Sequence, residues 1–249
     1  MFPGIGTVVN MVTVLAGTAI GVLVGHRFSQ RTRDVVTDAL GLVTLLIAAS
    51  AATSIGDADW SRAVGDSAPM LIVLASLVLG GMAGSVLGIE RRLEHFGGWL
   101  QAHLQRRAPE GADRQRFIEG FVTSSLVFCV GPLTVLGSIS DGLGKGADQL
   151  FLKAALDGFA AIAFAASLGW GVAGSVLALF LVQGSLTALG AGLGDILTPA
   201  QIAALTCTGG LMLVGVALRL LRIKQLPVGD LLPGLILAPA LTALMSVLH

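Results

Sequence analysis

Asp157 stands inside an apolar run, KAALDGFAAIAFAASL, about two turns from where the run begins, and Lys153 precedes it by one turn on the same helical face. An acidic residue inside a membrane span costs about 2.5–3.5 kcal/mol on insertion scales, so such residues mark pathways or sites unless they are paired. Two readings stand for Asp157: an internal Lys–Asp pair, and a group in an ion or solute pathway. Gln183 lies about seven residues from the outer end of another apolar run, and Asn10 about five residues into the first. Ser138 and Asp141 close a fourth run. Four runs therefore place polar groups at similar depth. That pattern predicts a hydrated pocket open to one face, or interhelical hydrogen bonds worth about 0.6 kcal/mol each.

The stretch Phe121–Asp157 joins several of these residues. It carries Ser124, Ser125, Cys129, Ser138 and Asp141 in an otherwise apolar setting, and it is interrupted by Gly131-Pro132. Proline inside a helix removes one backbone hydrogen bond, and hydrocarbon offers the freed carbonyl no substitute. The break is expected to free the carbonyls of Val127 and Phe128, either for a cation, as in discontinuous transport helices, or for a nearby hydroxyl such as Ser124 or Ser125.

Other chemistry finds no pattern. Gly142, Gly144 and Gly146 form GxGxG without a preceding strand, which argues against a phosphate loop. The four histidines, His26, His95, His103 and His249, lack ligand spacing, and neither GxSxG nor HExxH occurs. Cys129 and Cys207 form no CxxC and read as buried thiols. Neither an enzyme activity, a metal nor a cofactor is expected.

The elements that must position these groups are membrane spans. The chain has 249 residues, 54% hydrophobic and only 12% charged, with a mean hydropathy of +0.86. A soluble domain carries about 25% charge, and apolar runs of about 20 residues match a bilayer core. The start, MFPGIGTVVNMV, lacks the basic region of a signal peptide, so the first span reads as retained. The expected fold is an all-α, polytopic helix bundle of about eight spans forming one domain over 1–249, with six or seven as alternatives. The spans are near Ile5–Gly25, Val35–Ile55, Pro69–Ile89, Phe121–Ile139, two within Phe151–Leu189 joined at Gly169-Trp170-Gly171, one from Thr198 to about Leu221, and one after Lys224. Ser67 and Thr198 read as helix caps, Thr198 with Gln201 as a capping box. Pro233 and Pro239 predict a kinked or unwound last span.

Charge gives the orientation. With eight spans and both termini outside, 12 of the 15 basic residues fall in cytoplasmic segments, leaving Arg62, Lys145 and Lys153 outside. Nucleic-acid binding has no support, because the basic residues sit in short loops beside spans. The longest polar segment, 90–119, is cytoplasmic and amphipathic around FGGWLQAHL. Gly17, Gly21 and Gly25 in span one and Gly80, Gly84 and Gly88 in span three form flat faces for close helix contact. Packing within the bundle, duplication of a hairpin, and a homo-oligomer seam are the three readings.

The segments FVTSSLVFCVGPLTVLGSISDGL, KAALDGFAAIAFAASLGWGV and VQG, with GTVVNMVTVLAGTAIGVLVG and ALGLVTLLI before them and LPVGDLLPGLILAPAL after, resemble the YqgA/YdfK-type bacterial membrane proteins. The resemblance covers nearly the whole chain. It implies a multi-pass protein of the bacterial inner membrane, a transporter among its expected roles, and names no substrate. It carries the site onto Asn10, Ser124, Ser125, Cys129, Gly131, Pro132, Ser138, Asp141, Gly142, Lys153, Asp157 and Gln183. The expected function is passage of a small ion or solute across the lipid bilayer. The alternative is a non-transporting scaffold or signalling partner that acts through 90–119.

Overall fold

The computed structural model describes residues 2–25, 27, 29–104, 112–129, 132–144, 146–193 and 197–248. Among them are eleven α-helices and no strand: α1 Ile5–Gly25, α2 Gln30–Ala52, α3 Ala58–Val64, α4 Ala68–Leu87, α5 Ile89–Leu104, α6 Ala112–Cys129, α7 Pro132–Gly142, α8 Asp148–Leu168, α9 Gly171–Leu193, α10 Pro199–Leu220 and α11 Pro233–Leu248. Seven helical stretches are long and apolar enough to cross a membrane, and α6 with α7 makes an eighth if the pair counts as one broken span. The protein is a polytopic helical bundle, as the hydropathy predicts.

The helix ends follow local chemistry. Thr198 accepts from the Gln201 backbone N–H at 3.3 Å while Gln201 accepts from the Thr198 N–H at 2.8 Å, the expected capping box. Ser67 occupies the cap position of α4 but makes no capping hydrogen bond, because its backbone is already helical there. Gly88 is the left-handed residue that ends α4, at φ 62°, and so is not part of a packing face. The last span is unwound at its entry: a 3-10 turn over Val228–Leu231 precedes Pro233, and Pro239 lies within α11. The loop after α2 holds a helix that hydropathy does not reveal. Asp57 caps α3 through the Asp59 and Trp60 amides, at 2.9 and 3.0 Å, and α3 buries Trp60 completely.

The chain divides into two compact units. Unit 1 comprises 1–40, 93–129 and 133–196; unit 2 comprises 41–92, 130–132 and 197–249. In unit 1, Gly6, Gly17, Gly21 and Gly25 of α1 face Leu150, Gly158, Ile162 and Ala166 of α8 in that order, so the two helices run in the same direction. A Cβ on Gly17, Gly21 or Gly25 would come within 2.4, 2.3 and 2.5 Å of an α8 carbonyl oxygen. This glycine face is therefore occupied inside the chain. At one end, Phe117 and Gly120 of α6 lie against Leu168 and Gly171. At the other end, Gly137 of α7 meets Leu150, and Gly142 meets Thr187 of α9. The α6–α7 pair thus reaches from one end of α8 to the other, with 76° between its two helices. By length and composition the α6–α7 pair fits either one broken span or a re-entrant loop.

In unit 2, Gly80 and Gly84 of α4 lie against Gly234 and Asp230, and Gly41 and Gly210 join α2 to α10, both pairs running in opposite directions. The two glycine series therefore serve different geometries: the α1 series a parallel pairing, the α4 series an antiparallel one. Close packing within the chain accounts for both. The core of this unit gathers Trp60, Ile72, Val73, Ala204, Cys207 and Ala238.

Candidate functional site

The site forms where α7 lies across one end of unit 1. Its backbone sets the arrangement: Gly142 lets α7 approach α9 so closely that a Cβ would sit 2.1 Å from the Thr187 carbonyl oxygen. Asp141, one residue earlier, turns to α1 and accepts from the Gly6 N–H at 3.0 Å. That amide belongs to the first turn of α1, where N–H groups have no partner within the helix and the dipole favours an anion. Asp141 therefore caps α1 from another helix. α9 also packs against α1.

One turn below this roof is the charged centre. Lys153 Nζ lies 2.5 Å from Asp157 Oδ2, and Asn10 Nδ2 donates to the same oxygen at 2.9 Å. All three side chains are buried. A carboxylate oxygen can only accept, so this bond fixes which way the Asn10 amide points and leaves its Oδ1 as the remaining acceptor. That oxygen has no partner. Gln183, one turn along α9 from Thr187, is completely buried, and neither atom of its amide has a hydrogen bond. The hydroxyls of Ser138, Thr7, Thr187, Ser125 and Thr18 are likewise buried without partners. Of the eleven such side-chain atoms among the described residues, eight belong to unit 1; only those of Trp60, Ser76 and Thr208 belong to unit 2. A buried polar group with no partner costs about 1–3 kcal/mol by mutational data. Such a concentration calls for water or a polar ligand.

The expected residues divide accordingly. Asn10, Lys153 and Asp157 are joined; Asp141 and Gly142 tie α7 to α1 and α9; Ser138 and Gln183 are buried and unpaired. Ser124 does not serve the break, because its hydroxyl donates back to the Gly120 carbonyl at 2.6 Å within α6. The Phe128 carbonyl, expected to meet either a cation or a nearby hydroxyl, accepts from the Thr134 hydroxyl across the break at 3.3 Å. Cys129 is a half-buried free thiol at the end of α6, and Pro132 is the first residue of α7, where a missing N–H is tolerated. Gly131 lies outside the described residues. Thr7 and Thr187 were not expected, although each lies within one turn of a residue that was, Asn10 and Gln183 respectively. No group of three or more His, Cys, Asp or Glu able to hold a metal occurs among the described residues.

A second constellation escaped the sequence entirely. In unit 2, Glu90 Oε1 lies 2.5 Å from Arg219 Nη1, Glu90 Oε2 accepts from the Gly229 N–H at 2.6 Å, and Asp230 Oδ1 accepts from the Glu90 N–H at 2.8 Å. It ties the start of α5 to the end of α10 and to the turn before α11. Glu90 reads in the sequence only as one more loop charge beside Arg91 and Arg92.

Comparison with known proteins places the chain. Residues 5–243 match the family described as "Protein of unknown function (DUF554)", and the chain belongs to that family. It is 26% identical over 234 residues to the "Uncharacterized membrane protein YdfK" of Bacillus subtilis (strain 168), covering 94% of this chain and 93% of that one. It is 29% identical over 239 residues to the "Uncharacterized protein YqgA" of Escherichia coli (strain K12), covering 96% of each. No solved structure matches.

Proposed function

We propose that this member of the DUF554 family passes a small ion or solute across the bacterial plasma membrane, through the polar layer of unit 1. The observation that carries the reading is the concentration of unpaired buried polar atoms in unit 1, eight of the eleven among the described residues, six of them on Thr7, Asn10, Ser138, Gln183 and Thr187 near the charged centre. Such groups have no stabilising role in a dry bundle; in a pathway they are the groups that replace a solute's hydration. The test is flux into vesicles containing the purified chain, read against a panel of monovalent ions and small polar solutes. Gln183→Leu should lower the flux of the solute that passes, and Thr208→Val, which removes an unpaired hydroxyl from unit 2, should leave it unchanged. No flux above protein-free vesicles for any member of the panel would reject the reading.

A scaffold or signalling role through 90–119 is the competing reading. Phe96 and Trp99 of α5 are exposed and stacked at 5.6 Å. An exposed aromatic pair beside basic residues on an amphipathic helix also suits the headgroup layer of a membrane, without a protein partner.

Both termini lie outside in this reading. Cysteines introduced as Ser29→Cys and Gln225→Cys should resist an impermeant thiol reagent in intact cells, while Ala58→Cys should react. Labelling of Gln225→Cys from outside would overturn the orientation.

A further inference from the structure

We infer that the solute bound in the unit 1 layer is a small uncharged molecule that both donates and accepts hydrogen bonds, held by the Gln183 amide with Asn10 Oδ1 and the Ser138 hydroxyl. The inference rests on the pathway reading above and names its substrate class. The charges of the layer already have partners: Asp157 Oδ2 is paired with Lys153 at 2.5 Å and bound by Asn10, and Asp141 Oδ2 caps α1. The buried side-chain atoms of the layer that have no hydrogen bond are all neutral. They include a complete amide on Gln183, one amide oxygen on Asn10 and the Ser138 hydroxyl, with all three residues 0% exposed.

Each charged class meets an obstacle there. A divalent cation needs several oxygen ligands, carboxylates among them, and of the two here Asp157 already balances the Lys153 ammonium while Asp141 is held at the end of α1. A monovalent cation could use the oxygens of Asn10, Gln183 and Ser138. It would leave the two N–H donors of Gln183 unsatisfied, and would share the layer with the Lys153 ammonium. An anion would meet the carboxylates of Asp141 and Asp157. A neutral molecule with its own N–H or O–H groups and a carbonyl or hydroxyl oxygen satisfies both halves of the Gln183 amide at once. The Asp157–Lys153 pair then has a positioning role: by holding Asn10 Nδ2 it directs Asn10 Oδ1 as an acceptor.

The test uses the purified full chain in vesicles, with urea and glycerol as neutral probes and sodium, potassium and chloride as charged ones. Neutral entry is read by light scattering after an osmotic step, ion entry by a potential-sensitive dye. Urea or glycerol should enter well above the protein-free rate while the ions do not. Gln183→Leu should slow that entry about tenfold, the loss expected from an amide's hydrogen bonds. Its melting temperature should stay at or above that of the wild-type chain, because an amide without partners contributes no stability; a purely structural Gln183 would instead show a fall. Gln183→Met repeats the measurement if the leucine variant does not reach the membrane. Ion entry without neutral entry would overturn the substrate class and leave the passage reading intact. Undiminished urea and glycerol entry in Gln183→Leu would overturn the assignment to this layer. Entry of none of the probes would overturn the inference, and the wider panel above then decides the passage reading separately.

Discussion

Lys153→Met alone is expected to destabilise the purified chain more than any other single substitution in unit 1. It leaves the Asp157 carboxylate buried with only the Asn10 amide beside it. Breaking a buried ion pair by removing one partner costs about 3–5 kcal/mol, because the remaining charge has neither water nor counter-ion. Lys153→Met together with Asp157→Asn should recover most of that loss, since removing both charges removes the desolvation penalty as well. Thermal unfolding in detergent separates the cases. If the double variant is as unstable as the single, the pair is not what stabilises this region, and the contribution lies in the packing of the lysine's methylene stem against α1.

Glu90→Ala is the corresponding expectation for unit 2. It would leave the Arg219 guanidinium and the Gly229 N–H without their carboxylate, in a site where the Arg219 and Glu90 side chains are only 14% and 13% exposed. The expected loss is about 3 kcal/mol, toward the lower end for a buried pair, because some water reaches it. Glu90→Gln keeps an acceptor for Gly229 and should lose less. Protease sensitivity of the Arg222–Pro227 connection gives the readout, since Glu90 tethers it from both sides through Arg219 and Gly229. Equal resistance in Glu90→Ala and the wild-type chain would show that the turn holds without this carboxylate.

Much of the fold is legible in the sequence because membrane helices are read from length and hydropathy, and here both signals are strong. The span boundaries at Gly25, at Gly169-Trp170-Gly171 and at Thr198 follow from punctuation that has a physical cause: small residues where the chain turns, and a capping box where a helix begins. The sequence assigns Asn10, Asp157, Gln183 and Ser138 a common depth in the same way, because residue counts along a helix convert directly to distance. Which of these groups would be paired is not legible there. Asn10 and Asp157 are 147 residues apart, and their bond depends on α1 and α8 packing face to face in the same direction through Gly17 and Gly21. Helix α3 was hidden because its seven residues are too few for a periodic signal, although Asp57 is a recognisable cap. Glu90 was hidden because a loop acid and a buried tether look the same until its partners, 129 and 139 residues away, are brought to it.

The claim that the unit 1 layer is a pathway has its most direct test in whether water-borne molecules reach it. In a chain carrying Cys129→Ala and Cys207→Ala, single cysteines would be introduced as Ser138→Cys, as Thr187→Cys and, in unit 2, as Thr208→Cys. Ser138 and Thr208 are equally buried, at 0% exposure. A small hydrophilic methanethiosulfonate reagent should modify Ser138→Cys and Thr187→Cys in vesicles and leave Thr208→Cys unreacted. If all three cysteines are equally inert, the layer is dry and the account of unit 1 as a solute pathway is wrong.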